Sequence, residues 1–222
     1  MRGRFITFEG GEGTGKSTQV AMLAHRLQEI GLGVLRTREP GGSPGAEIIR
    51  HVLLSGAAKP LGADAEAMLF AAAREDHVHC TIEPALAAGR WVVCDRFDDS
   101  TRVYQGALGS VDQRLIKGLE RLSIGDLMPN LTLILDTPLE ISMERSALRR
   151  GDAAADRFED EGRDFHFKLR EAFLALAETE PDRCVVIDAN VSRQKVAEHI
   201  WHVVQDRLDP AAAPFVFERS AS

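Results

Sequence analysis

The sequence predicts an α/β fold in which a five-stranded parallel sheet is covered by helices on both faces, a three-layer sandwich. Three observations carry this. Five short apolar runs lie along the 222 residues, at Phe5–Phe8, Val34–Arg38, Trp91–Asp95, Leu131–Asp136 and Cys184–Asp188. Stretches with apolar residues at helical spacing separate them, and such alternation leads to parallel strands joined by right-handed crossovers. The first run passes directly into a glycine-rich turn and then a helix, the order found where backbone amides cradle phosphate. There is no internal repeat and no linker long enough to divide the chain. Residues 1–208 therefore read as one domain, and 209–222, rich in Ala and Pro, as a loose tail.

In the glycine turn, Gly10 and Gly15 frame four residues ahead of Lys16 and Ser17. Only residues without a Cβ let the backbone curl close to phosphate oxygens, and the following helix aims its unpaired N–H groups at the same point. Lys16 is placed to neutralise the outer phosphates, and Ser17 to supply a hydroxyl ligand to Mg²⁺. The pattern arises by accident in fewer than about one chain in a hundred of this length, and the strand before it and the face Val20, Leu23, Ala24, Leu27 after it lower those odds. Nucleoside triphosphate binding is the expectation.

Gly31 and Gly33 end the first helix, and Val34–Arg38 follows as a strand. The breaker cluster Glu39 to Gly45 sits where a parallel strand ends, the edge at which open α/β sheets hold ligands; taken alone it reads as a connector. Ile48, Ile49, Val52 and Leu53 mark a short amphipathic helix with Arg50 on its other side. Asp64 to Ala88 is alanine-rich and helical, with Met68 and Leu69 as packing positions. Phe70 and Arg74 share a face there, an arrangement that by itself reads as surface.

Trp91–Asp95 is apolar until its last residue, as strands buried on both faces are. Asp95 is then either a second Mg²⁺ anchor or the cap of the next helix. The polar stretch Arg96 to Gln105 just beyond a buried strand suggests a ligand, and Gly106 and Gly109 break the chain. Val111, Leu115, Leu119 and Leu122 mark a further helix. After Leu131–Asp136, Pro138 opens a helix running towards Arg145. Residues 145–162 are too polar for core. They read as a solvated loop or as a lid whose arginines close over a γ-phosphate. Phe165, Leu169, Ala172, Phe173 and Leu176 mark one more helix, and Val196, Ile200, Val203 and Val204 the last.

A net charge of −7 argues against a broad nucleic-acid-binding surface. Three isolated cysteines, Cys80, Cys94 and Cys184, fit neither a disulfide framework nor a zinc site and are expected reduced and mostly buried. Met1 to Phe5 leads straight into the first strand, no run is long enough to span a membrane, and a cytoplasmic location is expected.

From about residue 4 to 208 the chain resembles the thymidylate kinases, nucleoside monophosphate kinases of the P-loop NTPase class. The resemblance rests on Arg38-Glu-Pro-Gly-Gly42, Phe70-Ala-Ala-Ala-Arg74, Asp95-Arg96 with Ser100-Thr101 and Tyr104-Gln105, and Pro129-Asn-Leu-Thr132 with Leu135-Asp136, in family order and spacing. It implies Mg²⁺-dependent phosphoryl transfer from ATP to dTMP in a homodimeric enzyme. By the resemblance, Gly10, Gly11, Glu12, Gly13, Thr14, Gly15, Lys16, Ser17 and Thr18 hold the ATP phosphates, with adenine between Arg145 and Asp188-Ala189. Ser17 and Asp95 hold the metal. Phe70 stacks on thymine, Arg74 donates to its O4, and Gln105 bonds its edge; Tyr104 packs against C2′ and excludes ribose. Arg50 and Arg96 clamp the monophosphate, Glu12 bonds the 3′-hydroxyl, and Glu39, Pro40, Ser100 and Thr101 complete the acceptor pocket.

The attacking phosphate oxygen is already ionised, so catalysis reduces to aligning two polyanions and shielding their repulsion, with no general base. Lys16, Arg96, Arg149 and Arg150 are the groups expected to do this. Gly13 stands where some members carry an arginine, which moves that charge to the lid, with Arg150 favoured. Asn130, Val103 and Ser43 depart from the usual Asp, Ala and Thr, and the lid is long in alanine. A kinase for another small acceptor would need different residues at Phe70, Arg74 and Gln105. A nucleotide-dependent switch is disfavoured by the lack of an Asn-Lys-x-Asp motif.

Overall fold

The computed structural model describes residues 2–109, 111–150 and 161–212. Its sheet has five parallel strands, β1 (Phe5–Glu9), β2 (Val34–Arg38), β3 (Trp91–Asp95), β4 (Leu131–Asp136) and β5 (Cys184–Asp188), in the order β2-β3-β1-β4-β5. The described helices are α1 (Lys16–Glu29), α2 (Pro44–Leu54), α3 (Ala63–His77), α4 (Glu83–Ala87), α5 (Asp98–Thr101), α6 (Gln113–Ser123), α7 (Leu139–Arg150), α8 (Arg163–Thr179) and α9 (Arg193–Leu208).

The period of two along β1 sorts its side chains between two layers. Ile6 and Phe8 pack with Val20, Leu23 and Leu27 of α1 and Ile200 and Val204 of α9. Phe5 points the other way, to Ile82, Leu86 and Phe97. A third cluster joins Tyr104 and Ile134 to Leu169 and Phe173 of α8. Each such side chain stabilises the fold by about 1.5–3 kcal/mol on burial. Register then matters for the site: Phe8 lies opposite Asp95, so β1 and β3 end within one residue of each other. The loop after β1 and the turn after β3 therefore emerge side by side.

Several expectations are corrected. Ile48, Met68 and Leu122 are 71%, 49% and 79% exposed rather than packed, and Val52 is also exposed. Cys80 is exposed, while Cys94 and Cys184 are buried. Helix α7 continues to Arg150, and Gly106 lies inside a π-helical turn, Arg102–Ala107, instead of breaking the chain. A second π turn, Val78–Ile82, joins α3 to α4. The expected lid residues 151–160 and tail residues 213–222 lie outside the described part of the chain.

Candidate active site

Gly10 and Gly13 have φ of +125° and +72°, and a Cβ on them would meet Leu135 O at 2.5 Å and Ser142 O at 2.0 Å. The loop thus needs glycine to close against β4 and α7, and position 13 has no room for a side chain on that backbone. Helix α1 begins at Lys16 with Gly15 as its cap, no side chain capping it and no acid in its first turn. Its terminal N–H groups are left for an anion. Lys16 is buried, and its ammonium donates to the Gly10 and Gly11 carbonyls at 3.0 and 2.6 Å. Burial, and then the Arg96 charge, lower its pKa to about 8.

Asp95 is not the cap of the next helix, since α5 starts at Asp98 with Phe97 as its cap. The Asp95 carboxylate instead accepts a hydrogen bond from the Ser17 hydroxyl. A hydroxyl and one carboxylate beside a phosphate loop are the hard oxygen donors Mg²⁺ takes, with phosphate and water completing its shell. The donor set fits that ion.

Loop and turn face a cleft of about 590 Å³, a volume suited to a small-molecule substrate. Glu12, Gly13, Gly15, Lys16, Ser17, Thr18, Glu39, Pro40, Arg50, Phe70, Arg74, Asp95, Arg96, Ser100, Thr101, Tyr104, Gln105, Arg145 and Arg149 line it. Gly10, Gly11 and Thr14 wall a smaller cavity of about 160 Å³ behind the loop, which Glu12 also borders. The Glu39 loop, a connector on composition alone, is thus part of the cleft wall. Asp188 is exposed at the end of β5, and Arg145 Nη1 donates to Ala189 O at 3.1 Å.

Arg96 takes a left-handed φ of +70°, unusual for a residue with a side chain. Its guanidinium donates to Gly10 O at 3.1 Å, Ser100 Oγ at 3.2 Å and Glu12 Oε1 at 2.5 Å. Burial opposes ionisation of Glu12, but the Arg96, Lys16 and Arg149 charges outweigh it and hold its pKa at about 2. Arg149 approaches Glu12 Oε2 at 3.8 Å with a side chain 56% exposed. The side chain of Arg150 lies outside the described structure.

Arg74 is 2% exposed, against its surface reading. Nε donates to Glu39 Oε2 at 2.8 Å, Nη1 to Asp98 Oδ1 at 3.0 Å, and Nη2 to Phe97 O and Thr101 Oγ1 at 3.2 and 3.0 Å. Burial alone would weaken its charge; Glu39 and Asp98 more than offset that and raise its pKa. Glu39 also bonds His77 Nδ1 at 2.9 Å. Arg50 donates to Pro40 O, beyond a cis Glu39–Pro40 peptide.

Sequence reasoning missed Glu9, Asp98 and His77. Glu9 ends β1, where an apolar run hides it, yet its carboxylate accepts from Phe97 N at 2.8 Å and Ser100 Oγ at 2.7 Å. It thereby fixes the turn that carries Arg96. Burial, with the Asp99 charge adding to it, raises its pKa from 4.5 to about 7. Between those values the native chain holds a proton that the unfolded chain has released, so stability falls as pH rises through that window and levels off above it. Relative to Glu9→Gln, the native protein should lose on the order of 3 kcal/mol across it. Urea unfolding of both proteins at pH 4.5, 6 and 7.5 reads this directly; a constant difference rules it out.

The chain matches one group of known proteins. The family model described as thymidylate kinase matches residues 8–200. A thymidylate kinase of Nitrobacter winogradskyi is 61% identical over 96% of this chain and 93% of its own. That of Bradyrhizobium diazoefficiens is 60% identical over 97% and 94%. A crystal structure of thymidylate kinase from Ehrlichia chaffeensis superposes with a TM-score of 0.73 at 33% identity, covering 92% of this chain and all of that one (100%).

Proposed function

The chain belongs to the thymidylate kinase family, and on that premise we propose how its cleft transfers the γ-phosphoryl group of ATP to dTMP, giving dTDP and ADP. It is an ATP- and Mg²⁺-dependent nucleoside monophosphate kinase. One observation carries the assignment of roles: the phosphate loop, the guanidinium groups of Arg50 and Arg96, and Phe70, Arg74 and Gln105 all line a single cleft.

ATP phosphates lie in the loop from Gly10 to Thr18, against the free N–H groups of α1 and the Lys16 ammonium. Ser17 and Asp95 would hold Mg²⁺, which would supply positive charge to offset that of the phosphates. Arg50 and Arg96 fork the monophosphate of dTMP, as guanidinium geometry suits phosphate oxygens. Glu12 is fully ionised and takes the 3′-hydroxyl. Tyr104, buried beside Glu12 at 3.5 Å, closes the side of the sugar where a ribose hydroxyl would project. The base stacks on Phe70 between Arg74 and Gln105. Adenine rests between Arg145 and Asp188-Ala189, a reading supported by the Arg145–Ala189 bond. Lys16, Arg96 and the lid arginines Arg149 and Arg150 shield charge as the phosphoryl group moves, and the acceptor oxygen needs no base because it arrives ionised.

We assign residues 1–208 to one catalytic domain, with 145–162 as its lid and the remainder as a tail. A homodimer is supported by the exposed Ile48, Met68 and Leu122 on α2, α3 and α6, helices that pack side by side. A cytoplasmic location follows from the role in nucleotide synthesis; among the described residues no helix is long and apolar enough to cross a membrane.

The experiment is an acceptor panel with ATP and Mg²⁺, read by coupled ADP release. The reading expects dTMP to be turned over best, dUMP more poorly, and dAMP, dGMP and dCMP hardly at all. Equal turnover of all five would refute the thymine slot.

A further inference from the structure

We propose that Asp98, which lies behind the cleft wall, sets the base selectivity of the acceptor slot by fixing the Arg74 fork. The inference rests on the reading that Arg74 faces position 4 of the base. A guanidinium has five N–H donors. Four of those on Arg74 are spent on Glu39, Asp98, Phe97 O and Thr101. The one that remains is on Nη1, and Asp98 is the partner that holds this nitrogen. Glu39, Phe97 and Thr101 restrain the other two nitrogens.

Two observations mark Asp98 as more than a structural acid. It is 4% exposed, and its second oxygen, Oδ2, is buried with no hydrogen-bond partner. Leaving a buried carboxylate oxygen unmatched is costly, and such a group calls for a reason. Its neighbour Phe97 lies beneath the same guanidinium, with Cζ 5.5 Å from the ring centre. Helix α5 and its capping residue thus hold the fork from its tip and from its face.

With one Nη1 hydrogen committed to Asp98, the other presents a lone donor to the base. A 4-carbonyl accepts from it. A 4-amino group sets N–H against N–H and leaves both donors unmet, a discrimination that works by rejecting the wrong base. Without Asp98, the fork can tilt and water can enter the vacated space and accept from an amino group. Selectivity should fall, while ATP, which does not reach this wall, is untouched.

The test compares Asp98→Ala, Asp98→Asn and Arg74→Ala by kcat/KM for dTMP and dCMP and by KM for ATP. Asp98→Ala should lower the dTMP-to-dCMP ratio by about tenfold or more. Asp98→Asn, which keeps an acceptor but loses the charge, should lower it by about threefold to fivefold. KM for dTMP should rise in both, and KM for ATP should hold. If Asp98→Ala does not fold, the Asn variant decides, and an unchanged ratio in it overturns the proposal. A ratio that stays constant in both Asp98 variants but collapses in Arg74→Ala refutes only the role of Asp98. A ratio unmoved in Arg74→Ala removes the underlying reading of the base slot.

Discussion

Lys16→Ala should lower kcat by roughly a thousandfold, about 4 kcal/mol of transition-state stabilisation, and leave the fold intact. The side chain is 6% exposed and anchored on two carbonyls of its own loop. Its charge is already in place when nucleotide arrives. Alanine removes the charge and two hydrogen bonds to the loop, which still seats closely against β4 and α7 at Gly10 and Gly13. Coupled ADP release measures the first effect and thermal unfolding by circular dichroism the second. The lowered pKa, about 8, adds a check on the unaltered protein. Above that pH the nucleotide-free ammonium is discharged, so kcat/KM for ATP should decline. A Lys16→Ala enzyme within tenfold of the original would take the phosphate loop out of the mechanism.

The second large effect concerns Arg96. Arg96→Ala and Arg96→Gly both remove the guanidinium that would fork the acceptor phosphate, and each should reduce kcat/KM for dTMP by at least about a hundredfold, near 3 kcal/mol. The two differ in backbone. At φ +70° alanine retains the left-handed strain and glycine does not. The glycine variant should therefore be the more stable of the pair by about 1 kcal/mol. Both will be less stable than the parent, since Glu12 at 2.5 Å and Glu9 at 4.0 Å lose their counter-charge. Equal melting temperatures in the two variants would show that the turn, tied by Glu9 to Phe97 and Ser100, relaxes without cost.

The strands were legible because their signal is local. Trp91–Asp95 and Leu131–Asp136 are apolar runs ending in a carboxylate, and each forms a strand with those bounds. The loop was legible because glycine spacing encodes its curvature. What failed depended on distant partners. Arg74 looks like decoration on a helix until β3 brings Phe97 and Asp98 against it. Glu9 looks like the last residue of a strand until the turn after β3 donates two hydrogen bonds to it. Ile48, Met68 and Leu122 obey helical periodicity, but periodicity identifies an apolar face without saying whether it meets the protein's own core. The π turns at Val78–Ile82 and Arg102–Ala107 left no mark in composition at all. The second of them carries Tyr104 and Gln105 into the cleft, in keeping with the use of such bulges at functional sites.

If the proposed roles hold, one cleft brings two mutually repelling nucleotides end to end, held by main-chain amides and guanidinium forks. A crystal structure with dTMP, Mg²⁺ and a non-hydrolysable ATP analogue measures this most directly. The dTMP phosphate oxygen should lie within roughly 3–3.5 Å of the γ-phosphorus, in line with the bond to be broken, with Arg96 on the monophosphate and Arg74 against the base. An acceptor phosphate well beyond that reach, with Arg74 making no contact to the base, would contradict it.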